Sequence, residues 1–166
     1  MIDEQRYERT VADKDRSGGQ WAIWQALYSP VAADGFPTPL WDPETGIIDP
    51  EVADHWRENW DLGHIVARDW AEVGPALAGK LHFAVGRVDN YYLEQAVYLM
   101  EERLRGLSDP EPKASFQYGV KGRHSWIGHS PKEPERQMTY AEFIDIVGGY
   151  IADKAPEGAD LESWAY

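Results

Sequence analysis

Two residues of this chain have the types, the order and the spacing that acid–histidine chemistry requires. Asp89 comes shortly after an apolar segment that ends at Gly86, and His124 follows in the polar segment Gly122 to Trp126. A carboxylate that binds one imidazole nitrogen fixes the tautomer of the ring and stabilises the imidazolium, so the other nitrogen can accept a proton from a nucleophile. The pair therefore predicts the acid and the histidine of a catalytic triad.

Both residues also have simpler interpretations. Asp89, followed by Asn90, could cap the next helix, and a triad acid at a strand end can do so while it holds an imidazole. His124 considered alone would be a solvated loop histidine. A metal site could be drawn from His129 with Asp89 or Glu133, but the spacing matches no helix face and no common zinc pattern. We therefore predict no metal and no cofactor.

The elements that must position the pair are a strand, a helix and a second strand. Apolar residues alternate in Leu81–Gly86, which predicts a strand, and they recur at helical spacing in Tyr91–Leu104. Ala114–Val120 predicts another, weaker strand. In open α/β sheets the chemistry gathers at the carboxyl ends of the strands. We expect both Asp89 and His124 to lie at that end.

The sequence offers no nucleophile to complete the pair. Its serines are Ser17, Ser29, Ser108, Ser115, Ser125, Ser130 and Ser163, and it has no cysteine. None of the serines has the flanking glycines of a nucleophile elbow. Ser130 comes nearest, but Pro131 after it has no backbone N–H to donate to an oxyanion hole. No spacing supports a threonine or aspartate instead, so we expect the nucleophile and the oxyanion hole outside this sequence.

Three segments carry a resemblance to a known family. They are Gly79 to Met100 (GKLHFAVGRVDNYYLEQAVYLM), Tyr28 to Trp41 (YSPVAADGFPTPLW) and Trp56 to Trp70. Over roughly residues 5–155 the chain resembles the C-terminal part of a family of bacterial esterases in the α/β-hydrolase superfamily. The resemblance implies an α/β fold with a partial α/β-hydrolase-like sheet. C-terminal strands with flanking helices would be present, and the early strands and the nucleophile elbow would be absent.

The resemblance also implies roles for the two site residues. In that superfamily the nucleophile precedes the acid, and the acid precedes the histidine. Asp89 would therefore be the acid and His124 the histidine of a carboxylic-ester hydrolase, with this chain beginning after the elbow. Where relatives carry an acidic residue after the glycine that ends the strand, this chain has Arg87. Alone, the chain is expected to be inactive.

Aromatic residues are the candidates for a substrate pocket. Trp126 follows His124 by two positions and would lie at the pocket mouth. We predict that Tyr91, Tyr28 and Trp41 join it. Ordinary anchoring of the loops remains the alternative interpretation of the loop tryptophans.

Composition restricts the partners. The chain has 16 basic and 29 acidic residues and a net charge of −13, which favours solubility and disfavours nucleic acid or an anionic membrane as a partner. No run of about 20 apolar residues is present, so no membrane span is predicted. The first residues are acidic and do not resemble a signal peptide. The compartment stays open, as does export of a longer parent protein.

Four further segments give helix signals of different strength. Trp21–Tyr28 is an apolar block that could be a helix or a strand. Asp49, followed by proline, predicts a helix start, and Leu62–Leu77 predicts a second helix or a bent continuation. Thr139 begins a capping box that predicts the last helix.

We expect a single domain over residues 1–166, with residues 1–19 and 156–166 loose and residues 13–19 forming a flexible loop. Half of a doubly wound sheet would leave an unpaired edge strand. The expected partners are therefore the missing N-terminal half or a second copy of the chain, with a small ester as the substrate of the completed site. Two alternatives stay open: a non-enzymatic module that grips a carbohydrate or peptide with loop aromatics, and a truncated product without a function.

Overall fold

The computed structural model describes residues 2–12 and 17–163. The described residues form a mixed α/β structure with seven helices and one parallel sheet of two strands. Contacts divide the chain into two units, Met1–Arg68 and Asp69–Tyr166, whereas a single domain is expected from the sequence. Of the loop predicted at residues 13–19, residues 13–16 lie outside the described part of the chain. No helix of the described residues is long and apolar enough to cross a membrane.

The first unit is helical. Its helices are α1 (Ile2–Val11), α2 (Gln20–Tyr28), α3 (Pro50–Trp60) and α4 (Leu62–Arg68). Residues 1–19 are expected to be loose, and within them Ile2–Val11 form α1, which a tertiary contact holds. Glu8 of α1 is buried, and its carboxylate accepts hydrogen bonds from Trp21 N (3.0 Å) and Ala22 N (3.2 Å) at the start of α2. One helix thus caps the next across a turn, which satisfies backbone N–H groups that a helix start leaves free.

Aromatic rings fill the interior of this unit. Trp41 is buried and meets Trp21 edge to face at 5.1 Å. Tyr28, the last residue of α2, packs on Trp56 and Trp60 of α3, with both ring centroids at 5.3 Å. Edge-to-face and tilted contacts at these distances are the favoured geometry of aromatic packing. The aromatic residues of the first unit therefore hold its helices together.

The second unit contains the sheet. Its elements are α5 (Trp70–Leu77), β1 (His82–Gly86), α6 (Glu94–Arg105), β2 (Ser115–Gly119) and α7 (Tyr140–Asp153). The predicted order of strand, helix and strand is confirmed, and the two strands pair in parallel with His82 opposite Ser115 and Gly86 opposite Gly119. Beyond α7, residues 156–163 form turns without a helix or strand.

Helix α6 covers one face of the sheet. That face carries the larger side chains of both strands, with Phe83 stacked on Phe116 at 4.9 Å. Tyr118 of β2 donates a hydrogen bond from its hydroxyl to Glu101 of α6. Burial and the neighbouring carboxylate raise the pKa of Tyr118 to about 12, so the phenol stays protonated and keeps donating.

Helix α7 lies against the opposite face, which we call the α7 face and which carries His82, Ala84, Ser115 and Gln117. The imidazole of His82 stacks on the ring of Tyr150 at 3.9 Å, with the two planes 3° apart. The predicted capping box at the start of α7 is confirmed, because Thr139 Oγ1 accepts from Glu142 N and Glu142 Oε2 accepts from Thr139 N. The sheet thus has α6 on one face and α7 on the other.

Candidate functional site

Asp89 lies in the turn after β1, at the carboxyl end of the sheet. Its carboxylate is almost fully enclosed, with 4% of the side chain exposed. Oδ1 accepts a hydrogen bond from Tyr91 N at 2.7 Å, and the carbonyl oxygen of Asp89 accepts from Tyr92 N at 3.1 Å. Helix α6 has Leu93 as its N-cap, so Asp89 holds the turn before the helix and does not cap the helix itself. Its second oxygen is left for a partner outside the turn.

That partner is His124. Asp89 Oδ2 lies 3.1 Å from His124 Nδ1, so the structure brings together the two residues that the sequence selects. The imidazole remains 45% exposed, and its ring meets Tyr91 edge to face at 4.7 Å. Among the described residues no hydrogen bond reaches Nε2 of His124. One ring nitrogen is therefore held by a buried carboxylate, and the other is available to exchange a proton.

The carboxylate is kept in its charged form. Burial raises the pKa of Asp89, but the hydrogen bonds from Tyr91 N and from His124, together with the attraction of the imidazolium, lower it by more. The net pKa of Asp89 lies below the ordinary value. An ionised acid that binds Nδ1 favours the tautomer with the proton on Nδ1 and stabilises the imidazolium that forms when Nε2 takes a proton.

Glycines allow the two loops to approach closely enough for this contact. A Cβ at Gly86 would lie 2.1 Å from the carbonyl oxygen of Gly122, and backbone cannot move aside as a flexible side chain can. Past the strand ends the two segments stay joined, with Arg87 N donating to Gly119 O (2.8 Å) and Val88 N donating to Gly122 O (3.0 Å). The two loops that carry Asp89 and His124 thus have glycine where their backbones approach most closely.

Trp126 fixes the loop that carries His124. Its ring lies where a Cβ of Gly119 or Gly122 would stand, with ring atoms 2.5 Å and 2.7 Å from those two positions. The residue is only 8% exposed, and its ring also meets His129 edge to face at 4.9 Å. Burial of a tryptophan against two glycines anchors the loop below His124, which agrees with the loop-anchoring interpretation of this residue.

The four residues selected for a substrate pocket are found in different surroundings. Tyr91 is 59% exposed and borders His124, as expected of a pocket residue. Trp126 is near the site in sequence, but its ring is buried against Gly119 and Gly122. Tyr28 and Trp41 belong to the first unit, where Tyr28 packs on α3 and Trp41 is buried against Trp21. Of the four, only Tyr91 directly contacts the imidazole.

Ser130, the serine nearest to an elbow pattern, has a structural environment. Its side chain is enclosed, and its hydroxyl donates to Glu142 Oε1 (2.8 Å) while accepting from Arg136 (2.9 Å) and the backbone N–H of Lys132 (3.2 Å). These bonds hold the loop before α7 onto the helix start. The hydroxyl thus has a structural role, and none of these hydrogen bonds involves His124.

One serine of the second unit does bind an imidazole. Ser115 Oγ lies 2.7 Å from His82 Nδ1, at the first residues of β2 and β1. Sequence reasoning missed this contact because it depends on the register of the strands. A serine–histidine triad also needs a third group that orients the histidine, and no carboxylate of the described residues binds His82. The described residues also contain no group of three histidine or acidic side chains that could hold a metal.

No protein-family model, no curated protein and no solved structure matches this chain. The family resemblance of the three sequence segments therefore stays a prediction. What the structure adds is the contact between Asp89 and His124, which joins residues from two different loops. The residues that let the two loops approach are Gly86, Gly119, Gly122 and Trp126. A glycine at the end of each strand, followed by Gly122 and a tryptophan, is the sequence signal from which they could have been predicted.

Proposed function

We propose that this chain is the C-terminal segment of a serine esterase of the α/β-hydrolase type and supplies the acid and the histidine of its triad. The single observation that carries the proposal is the 3.1 Å contact between the buried carboxylate of Asp89 and Nδ1 of His124. The order acid before histidine, with each residue after a parallel strand, supports it as well. The nucleophile and the oxyanion hole come from polypeptide outside this sequence.

The proposed reaction is acyl transfer. The serine oxygen attacks the ester carbonyl carbon while its proton passes to Nε2 of His124, and Asp89 stabilises the imidazolium. The imidazolium then protonates the departing alkoxide as the carbon–oxygen bond of the ester breaks. In the second half, water gives its proton to Nε2 and attacks the acyl-enzyme, and the imidazolium returns a proton to the serine oxygen. His124 is thus the proton carrier, and Asp89 is its orienting partner.

The edge of the sheet indicates where the rest of the active site would attach. The described residues form a sheet of two strands, so each strand has one edge without a strand partner. Strand edges bind further strands through their free N–H and C=O groups. We propose that strands from the N-terminal half extend this sheet, which would bring a nucleophile to the carboxyl end where His124 lies. A second copy of the chain is the alternative occupant of the edge.

The exposure of the aromatic residues favours the hydrolase over a non-enzymatic binding module. A module that stacks sugars or peptides on loop tryptophans needs their ring faces in solvent. Trp41 is 9% and Trp126 is 8% exposed, and both rings pack inside their own units. Tyr91 and Tyr92 are exposed, yet the ring of Tyr91 already packs edge to face with the imidazole of His124. Recognition by loop tryptophans therefore has little support.

The isolated chain provides the first test. It is treated with a fluorophosphonate and with an activated ester, beside the variants His124→Ala and His82→Ala. We expect no serine to be phosphonylated and no burst of ester cleavage that depends on His124. Covalent modification of any serine of this chain, lost in His124→Ala and kept in His82→Ala, would show that the nucleophile is within the sequence and would overturn the proposal.

A further inference from the structure

A large cavity lies on the α7 face of the sheet, away from the Asp89–His124 contact. It is open to solvent and has a volume of about 840 Å³ between the sheet, α7 and the turns at residues 155–161. Its walls are apolar, with Ala84 from the sheet, Ile127 and Met138 from the connecting loop, and Phe143 and Val147 from α7. Small-molecule sites are concave, mostly apolar and about 300–1,000 Å³ in volume, with a few polar groups that fix the orientation of the ligand.

The polar groups of this cavity gather at the amino end of the sheet. His82 and Ser115, the first residues of the two strands, line it and hydrogen-bond each other, and Tyr150 stacks on the imidazole. Lys80 precedes β1, and Lys154 follows α7. A Cβ at Gly79 would lie 3.9 Å from Lys154 Nζ, so the ammonium group of Lys154 is beside the residue that precedes Lys80. Both lysines therefore line the cavity, and the ammonium group of Lys154 lies near the start of β1.

The two lysines of the cavity, like Lys113, Lys121 and Lys132, form no ion pair within the described part of the chain. Acidic residues outnumber basic ones 29 to 16, yet no carboxylate of the described residues forms an ion pair with Lys80 or Lys154. Asp160 is the acidic residue of the cavity lining, and its Oδ1 accepts from the backbone N–H groups of Glu162 and Ser163, both at 2.9 Å. Its carboxylate is thus engaged within its own turn.

We propose that this cavity binds a single-chain amphiphile with an anionic head group, of the fatty-carboxylate class. The head group would take the place of the missing counter-ion for Lys80 and Lys154, with His82 and Ser115 as hydrogen-bonding neighbours. The hydrocarbon chain would lie along the apolar wall between the sheet and α7, where its burial is favourable. An apolar tail with one charged end matches a cavity that is apolar along its length and basic at one end.

This proposal does not rest on the esterase assignment. The polar groups of the cavity lie at the amino end of the strands, whereas Asp89 and His124 lie at the carboxyl end. A binding site for a fatty carboxylate would persist if the acid–histidine pair had no catalytic role. The variant His124→Ala therefore separates the two proposals, because it should abolish acyl transfer in a completed enzyme and leave binding in the cavity unchanged.

The test is calorimetric titration of the full chain with dodecanoate below its micelle concentration and with dodecanol below its solubility limit. Lys80→Met/Lys154→Met removes the charges and keeps the apolar stems, and Lys113→Met/Lys132→Met is the matched control outside the cavity. Val147→Trp places a larger side chain in the apolar part of the cavity. We expect dodecanoate to bind about tenfold more tightly than dodecanol, the cavity double variant to abolish that preference, and the control to keep it. Val147→Trp should weaken the binding of both ligands.

Three results would overturn the proposal. The first is no binding of dodecanoate by the folded parent chain. The second is equal affinity for dodecanoate and dodecanol in the parent, with no effect of the cavity double variant. The third is a parent chain that sediments as a dimer, while Val147→Trp sediments as a monomer and dodecanoate does not dissociate the parent dimer. A second copy of the chain would then occupy the cavity. The lysine variants alter exposed side chains, so the charge test does not depend on the core substitution.

Discussion

The two ends of the small sheet carry one histidine each, and their surroundings differ in kind. At the carboxyl end, His124 binds a buried carboxylate, and glycine backbone and a buried tryptophan enclose the loops. At the amino end, His82 binds the hydroxyl of Ser115 and stacks on Tyr150 beside an open cavity. The same strands therefore present a narrow, acidic contact at one end and a wide, basic cavity at the other.

The difference lies in what each partner does to the imidazole. A carboxylate on Nδ1 stabilises the positive ring that forms when Nε2 accepts a proton, and burial of that carboxylate keeps the geometry fixed. A hydroxyl on Nδ1 can donate or accept a hydrogen bond, and it carries no charge. His124 is therefore suited to carry protons, whereas His82 is suited to line a binding site.

The largest expected loss of stability follows from removing Trp126, which anchors the loop at the carboxyl end of the sheet. Trp126→Ala removes a buried ring that packs on Gly119 and Gly122, and it should cost about 3–5 kcal/mol in the free energy of unfolding. Chemical denaturation followed by far-UV circular dichroism measures it. Tyr150→Ala, at the amino end, is the matched control, and we expect a smaller loss because Tyr150 is 43% exposed. Equal losses in the two variants would contradict the contrast between the ends.

A smaller loss is expected at the glycine contact. Gly86→Ala places a Cβ against the backbone of Gly122 and should destabilise the chain by about 1–3 kcal/mol through overpacking. Gly149→Ala is the control, because Gly149 lies in α7 with no atom within 4 Å of the added methyl. Alanine there should stabilise the helix by about 0.5–1 kcal/mol. A neutral Gly86→Ala would show that the two loops do not need their close approach.

Acid titration tests the loop before α7. Hydrogen bonds from Thr139 N, Arg136 and Ser130 lower the pKa of Glu142 to about 2 from 4.5. Because the folded value is lower, the stabilisation is complete above about pH 4.5 and is lost as the pH falls towards about 2. The stability difference between the parent and Glu142→Gln should therefore shrink on acidification through that range. A stability difference that stays constant over that range would contradict the contribution of these hydrogen bonds.

The smallest change in stability is expected for Asp89→Asn, which should instead change the tautomer of His124. The substitution removes the carboxylate that holds Nδ1 of His124 and keeps the size of the side chain. We expect the parent to show the Nδ1–H tautomer of His124 in nitrogen NMR spectra at neutral to alkaline pH, and the variant to show a mixture. An unchanged tautomer in Asp89→Asn would mean that Asp89 does not orient the ring.

The strand–helix–strand order and the site pair could be predicted because their signals are local. Period-two and helical patterns of apolar residues lie within short segments, and the carboxyl ends of neighbouring parallel strands meet at one edge. This is enough to place Asp89 near His124. The helix start at Asp49 and the capping box at Thr139 are also local signals, and the structure has both.

The remaining features could not be predicted because they depend on contacts between distant segments. Helix α1 is polar and has no strong periodic pattern, and its ordering depends on Glu8 reaching the start of α2. The burial of Trp126 depends on how the loop after β2 folds its ring onto Gly119 and Gly122, and the contact of Ser115 with His82 depends on strand register. A tryptophan two positions from a site histidine looks the same in sequence whether it lines a pocket or lies beneath one.

The most direct test of the central claim is fluorophosphonate labelling in source cells, followed by native capture through this chain and mass spectrometry of the labelled serine. The chromosomal sequence is compared with His124→Ala and with His82→Ala. The account predicts a labelled serine outside residues 1–166 in the parent and in His82→Ala, and no label in His124→Ala. A label that does not depend on His124, a labelled serine within this chain, or the absence of any label would contradict it.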